Sequence, residues 1–454
     1  MPDTVLDVRE FLDRRPIART QWLILALCFL VMITDGFHTA AIAFVAPILA
    51  QQLGISRLAL GPVLSAALFG LGIGAFAAGP IADRVGRKRV LIASVLVCSV
   101  GSLLSASATA VPALLVYRLI TGLGIGAAMP NCTTLAAEFL PTRRRSLLSN
   151  LMFCGFPLGA SMGGFLAAWL IPRYGWRSVF FLGGLAPLLL AALLTRVPES
   201  IRFMAARRWP ADKIREVLLR IAEGDQLATF QIASASEFRA AEAQVSAAQS
   251  PLAILFAPQY LVSTLMLWIT YFMGLVLFYM LTSWMPTLVH EAGYSLSQAS
   301  SAAALFPLGG GFGAIACGWL MDRKNATRVV AGAYLLTAVL MLVLAASTHG
   351  IGPLMFATFF AGLAMNGAQT SMPVLAASSY PTAARASGVS WMLGAGRMGG
   401  ILGATSGGVL MQAGFSMAQI LAGLAGTALV AALALFVKAN ASRQAVELAA
   451  SGGE

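Results

Sequence analysis

Scanned for apolar and polar positions, the chain resolves into twelve apolar runs, at roughly 21–50, 58–82, 89–108, 111–139, 146–171, 177–196, 259–288, 297–321, 329–346, 351–379, 386–412 and 417–437. A helix needs about 20 apolar residues to cross a hydrocarbon core about 30 Å thick, and each run meets or approaches that length. The pattern therefore predicts an all-α membrane protein of 12 transmembrane helices in two six-helix halves. The expected order is a cytoplasmic N-terminal segment (1–20), a first half (21–196), a cytoplasmic linker (197–255), a second half (256–438) and a cytoplasmic tail (439–454). Within the linker, ADKIREVLLRIAE places Ile214, Val217, Leu218 and Ile221 on one side of a helix, which predicts an amphipathic helix. Val5, Val8 and Leu12 could form a similar face against the headgroups.

Composition agrees with the pattern. Hydrophobic residues make up 58% of the 454 and charged residues 11%, against about 25% charged in a soluble domain. The 45 glycines suit closely packed membrane helices. Residues 1–20 mix Asp, Glu and Arg, and the first apolar run exceeds the length of a signal core, so no cleavable signal is expected. All five cysteines fall in apolar runs without metal-type spacing and read as small core residues.

The net charge of +12 is a topology signal rather than a nucleic-acid footprint. Of the basic residues, only Arg57, Arg173 and Arg177 fall in outer loops and only Arg118 and Arg397 within spans, if the N-terminus is inside. That asymmetry obeys the positive-inside rule and places both termini in the cytoplasm. The halves also repeat. GPIADR (Gly79–Arg84) recurs as GWLMDR (Gly318–Arg323), while Gly122, Pro141, Arg145, Gly159 and Gly163 recur at one constant spacing as Gly362, Pro381, Arg385, Gly399 and Gly403. Parallel six-helix repeats are a transporter architecture, with substrate near the midplane.

Polar groups inside the spans are the candidate chemistry. Asp35 and His38 lie three apart in the first run, on one helical face. A carboxylate at that depth costs about 2.5–3.5 kcal/mol on insertion scales and marks a functional site by default; helix packing is the plain alternative. Arg397 lies roughly 17 Å into its run, near the midplane, while Arg118 is about 10 Å from its outer end, where it could snorkel. Both could instead tie two helices together. Asn131 and Gln369 could bond a substrate hydroxyl or link helices. Tyr271, Tyr279, Trp284 and Trp391 could stack on a ring or belong to core and interface. GLGIG (Gly122–Gly126) and GGGFG (Gly309–Gly313) lie inside spans and follow no strand, and no GxxxxGK[ST] occurs, so neither a nucleotide nor another cofactor is expected.

The loop GPIADRVGRKR, with Gly79, Asp83, Arg84, Gly86 and Arg87 in register, resembles the loop signature of the major facilitator superfamily. The stretches DGFHTAAIAFVAP, RLITGLGIGAAMPNCTTLAAEFLP, VPESIRF, FYMLTSWMPTLV and RASGVSWMLGAGRMGGILG are similar to the aromatic acid:proton symporter family within it. The resemblance implies the major facilitator fold, a gating role for that loop and for its second-half counterpart Asp322–Arg323, and import of 4-hydroxybenzoate, protocatechuate or benzoate with protons. It implies proton coupling through the first-helix acids. Here the D-G-[FY]-D motif keeps Asp35 but carries His38 at its second acid, which changes that group's charge.

The expectation is thus a secondary, proton-coupled importer, not an enzyme, acting as a monomer in a bacterial-type cytoplasmic membrane. Its substrate-binding candidates are Arg118, Arg397, Asn131, Trp391, Gln369 and Tyr279, and its proton-coupling candidates Asp35 and His38. Arginine suits a carboxylate because its planar fork makes two parallel charge-assisted bonds. A non-aromatic organic-acid transporter and a ligand-binding membrane sensor are the alternatives.

Overall fold

The structure is a computed structural model describing residues 5–6, 13, 15–52, 54, 56–141, 144–207, 209–222, 231–232 and 251–451. The first half comprises α1 (Arg19–Gln52), α2 (Arg57–Val85), α3 (Arg87–Ser107), α4 (Val111–Phe139), α5 (Arg145–Phe153), α6 (Gly155–Tyr174) and α7 (Arg177–Leu194). Three short helices follow: α8 (Ile201–Ala206), α9 (Ala211–Ala222) and α10 (Pro251–Leu255). The second half comprises α11 (Pro258–Glu291), α12 (Leu296–Arg323), α13 (Ala326–Ala346), α14 (Ile351–Ser379), α15 (Thr382–Gln412) and α16 (Met417–Ser451).

Eleven spans among the described residues are long and apolar enough to cross a membrane. The twelfth, α15, has the length at 31 residues, but its Gly, Ser and Thr positions and Arg397 dilute its hydropathy. Two expectations need correction. The fifth run is not one helix: Cys154 separates α5 from α6, because Pro157 has no N–H to bond back to Phe153. The helix of the last span, α16, continues through the tail as far as Ser451. Val5 is not helical but lies in a two-residue strand, Val5–Leu6, paired in parallel with Gln231–Ile232; Val8 and Leu12 lie outside the described residues.

The chain forms two compact units, Met1–Thr39 with Phe69–Gly159 and Phe180–Ala247, and Ala40–Leu68 with Ala160–Val179 and Ala248–Glu454. In the first, the predicted amphipathic helix is α9, and its Ile214, Val217, Leu218 and Ile221 join a core with Ile24, Leu27, Leu135 and Phe139. Thr20 Oγ1 donates to the Arg220 carbonyl at 2.9 Å, fixing the end of α9 to the start of α1. In the second, Trp176 Nε1 donates to Gln52 Oε1 at 2.8 Å and Gln51 Nε2 lies 3.1 Å from His290 Nε2.

The sequence repeat is a repeat of helix contacts. Gly70 and Gly74 of α2 lie against the α4 backbone at Leu119 and Leu123. Gly309 and Gly313 of α12 lie in the same way against α14 at Phe359 and Leu363, and Gly362 returns the contact onto Phe306. A Cβ at any of these positions would collide with backbone. Gly159 meets the Ile33 carbonyl of α1 as its counterpart Gly399 meets the Phe272 carbonyl of α11. The glycine-rich stretches thus let backbones touch where lipid offers no competing hydrophobic drive.

Candidate functional site

Each unit carries its own polar cluster inside the spans. In the first, Asp35 is 4% exposed, and His38 and Arg118 are 0% exposed. Arg118 does not snorkel. Its Nη2 donates to the His38 carbonyl at 2.7 Å, and its guanidinium lies 5.6 Å from the Phe180 ring centroid. Its Nε and Nη1 find no hydrogen-bond partner among the described residues, nor do Asp35 Oδ2 and both ring nitrogens of His38. Asp35 and His38 therefore share a helical face without bonding to each other. Gly183 on α7 leaves room for the imidazole, since a Cβ there would press on Phe37, His38 and Ser102. Asn131 on α4 is also buried, but its Nδ2 donates to the Ala127 carbonyl of its own helix at 2.7 Å.

In the second unit, Arg397 is half-buried on α15 and forms no hydrogen bond or salt bridge among the described residues. Its charge acts on the hydroxyls of Tyr271 and Tyr279, both on α11. The flanking glycines explain how: a Cβ at Gly396 would meet the Tyr271 ring, and one at Gly400 the Tyr279 ring. The two rings thus lie against the α15 backbone one helical turn apart. Gln369 on α14 accepts from the Tyr334 hydroxyl of α13. Trp391 is placed elsewhere: it is 47% exposed and stacks on Trp268 with centroids 5.9 Å apart and planes at 11°. Trp284 is core, its Nε1 donating to the Ala404 carbonyl at 2.7 Å.

At the α2–α3 junction, Gly86 turns the chain with φ 109°, and Arg87 Nη2 pairs with Asp83 Oδ1 at 2.7 Å. Sequence reasoning missed the partner of this loop. Glu199, from VPESIRF, accepts from the backbone N–H of Lys88 at 3.0 Å, capping an α3 whose first turn lacks an acid. Arg207 Nη2 donates to the carbonyls of Asp83 at 3.3 Å and Arg84 at 3.1 Å. Nothing among the described residues lies within 4 Å of a Cβ built at Gly79, the first residue of this loop signature. The second-half counterpart differs too. Asp322 is exposed, and the Arg323 guanidinium lies 4.0 Å over the Trp319 ring; the position matching Arg87 is Ala326.

Twelve spans, a two-fold repeat of helix contacts and charged groups buried at span depth define a multi-pass membrane transporter rather than an enzyme. The Major Facilitator Superfamily matches residues 27–350 and 267–452. The 4-hydroxybenzoate transporter PcaK of Pseudomonas putida is 48% identical over 434 residues, covering 95% of this chain and 96% of that protein. The gallate transporter of Pseudomonas putida is 46% identical over 444 residues, covering 98% and 97%. Among solved structures, the inward open conformation of the xylose transporter XylE from E. coli matches with a TM-score of 0.72 at 19% identity, covering 92% of this chain and 95% of that one; this likeness speaks for the fold alone. The chain belongs to the major facilitator superfamily and, within it, to the aromatic-acid transporter family.

Proposed function

We propose that the protein imports small aromatic carboxylates of the 4-hydroxybenzoate type together with protons, by alternating access. It acts as a monomer in a bacterial-type cytoplasmic membrane with both termini inside, as the distribution of Lys and Arg supports. The observation that carries the reading is Arg397. A guanidinium at span depth with none of its five N–H groups committed to a described residue is an anion receptor in waiting, and a carboxylate matches its planar fork. The names of the two relatives support an aromatic ring behind that carboxylate.

Asp35 carries the proton in this scheme. One of its oxygens is buried without a hydrogen-bond partner among the described residues, which leaves that oxygen open to a proton as its surroundings change. Arg118 is a positioning residue that bonds the His38 backbone and holds α1 at the level of Asp35. The coupling follows from charge. Moving one elementary charge across a membrane is worth about 2.3 kcal/mol per 100 mV, so a monoanion entering alone would climb an interior-negative potential. One proton makes the step electroneutral, and a second makes it potential-driven.

Purified protein in proteoliposomes should accumulate labelled 4-hydroxybenzoate when the outside is acidified, and should exchange it when no gradient is imposed. Exchange without gradient-driven accumulation would remove the proton from the scheme. Failure of both, in vesicles shown to contain folded protein, would remove the transport of this substrate class.

A further inference from the structure

Behind Arg397 stands a file of polar groups that transport of an anion does not require. Tyr334 on α13 is fully buried and its hydroxyl donates to Gln369 Oε1 at 2.5 Å. That fixes the amide: its oxygen is occupied, so its Nε2 faces the other way. Gln369 is 7% exposed, and Nε2 is buried without a hydrogen-bond partner among the described residues. Tyr271 lies on α11 three residues before Gly274, the position packed against Gln369 Oε1 and the Tyr334 hydroxyl, which puts it on the helix face that meets Gln369; its hydroxyl also interacts electrostatically with Gln369. Gly274 makes the arrangement possible, because a Cβ there would strike both Gln369 Oε1 and the Tyr334 hydroxyl. An unmet buried donor costs about 1–3 kcal/mol, and such a group calls for an explanation.

We infer that Tyr334, Gln369 and Tyr271 form a directional relay that reads a ring hydroxyl of the substrate, with Tyr271 the contacting residue and the other two positioning it. This rests on the proposed aromatic-carboxylate substrate. The direction follows from the donor inventory. The Gln369 amide nitrogen can only donate, so the Tyr271 oxygen accepts from it and the Tyr271 hydrogen points away, toward a ligand acceptor. When a ligand oxygen takes that hydrogen, the Tyr271 oxygen becomes a better acceptor and the Gln369 bond closes, since chained hydrogen bonds polarise one another. The carboxylate has a charged partner in Arg397, whose charge also reaches Tyr271. The neutral relay suits the neutral oxygen of a phenol.

Calorimetric titration of the purified full-length protein with 4-hydroxybenzoate and with benzoate separates the possibilities. Wild type should prefer 4-hydroxybenzoate. Tyr271→Phe, Tyr334→Phe and Gln369→Leu should each reduce that preference by about five- to tenfold, the effect of one neutral hydrogen bond. Benzoate affinity should stay within about twofold. Because the three groups act in series, Tyr334→Phe combined with Gln369→Leu should lose no more than Gln369→Leu alone. The ratio of the two affinities within one preparation does not depend on the folded fraction, and both Tyr→Phe changes remove a single oxygen. Parallel losses for both ligands would make the file a structural tie and overturn the relay, as would unchanged preference in all three variants. Equal wild-type affinity for the two ligands would sink the relay alone. A wild type that binds neither would sink the substrate reading and the relay with it.

Discussion

Arg118 and Arg397 are both arginines inside apolar runs, and the protein uses them differently. Arg118 is sealed, bonded to a backbone carbonyl and laid against Phe180, whereas Arg397 is half-buried and bonded to nothing among the described residues. Arg397→Lys keeps the charge and loses the fork, so substrate affinity should fall about tenfold or more, the scale of a charge-assisted hydrogen bond; binding titration reads this directly. Asp35→Asn cannot take up a proton and should abolish accumulation driven by a pH gradient while equal-concentration exchange continues. Among the described residues, neither ring nitrogen of His38 has a hydrogen-bond partner, and Arg118 beside it has two unmet donor atoms. His38→Asp restores the family motif and gives those donors a carboxylate, so transport should persist with a shifted pH profile. His38→Gln tests the imidazole itself. A wild-type profile between about pH 5 and 8, where an imidazole changes charge, would leave His38 without a proton role.

At the scale of elements, the glycines divide into those that a side chain would displace and those that face open space. Gly362 touches the Phe306 backbone carbonyl, whereas nothing lies within 4 Å of a Cβ at Gly332. Gly362→Leu should separate α12 from α14, with an overpacking cost of about 1–3 kcal/mol or more, seen as lower yield and a lower melting temperature. Gly332→Ala should leave both unchanged. The same contrast separates the two loop motifs. Asp83 and Arg87 form an exposed pair one helical turn apart, worth a few tenths of a kcal/mol, so the firmer hold on this loop is Glu199, whose carboxylate receives the N–H of Lys88.

For the whole molecule, the coupling ratio is what a charge measurement reads. If one proton accompanies each monoanion, substrate-driven currents in proteoliposomes on a solid-supported membrane should be absent while uptake continues. With two protons, uptake should carry inward positive charge and speed up as the interior is made negative.

The spans and the internal repeat were readable in the amino-acid order because each is a sum over local composition. Hydropathy adds along a run, and recurring motifs align with themselves. Asp35, Arg118, Gln369 and Arg397 also stood out, as polar letters in apolar stretches. What each of them touches did not. Arg118 meets a carbonyl on α1, Gln369 meets Tyr334 on another helix, and Glu199 caps a helix more than a hundred residues earlier in the chain. The reason is physical. A helix that is apolar all round has no polar stripe to tell which face turns inward, so rotation about its axis, and with it every side-chain partner, is set by backbone contact with its neighbours. Glycines such as Gly362 and Gly274 set those contacts, and they act only once the helices have come together.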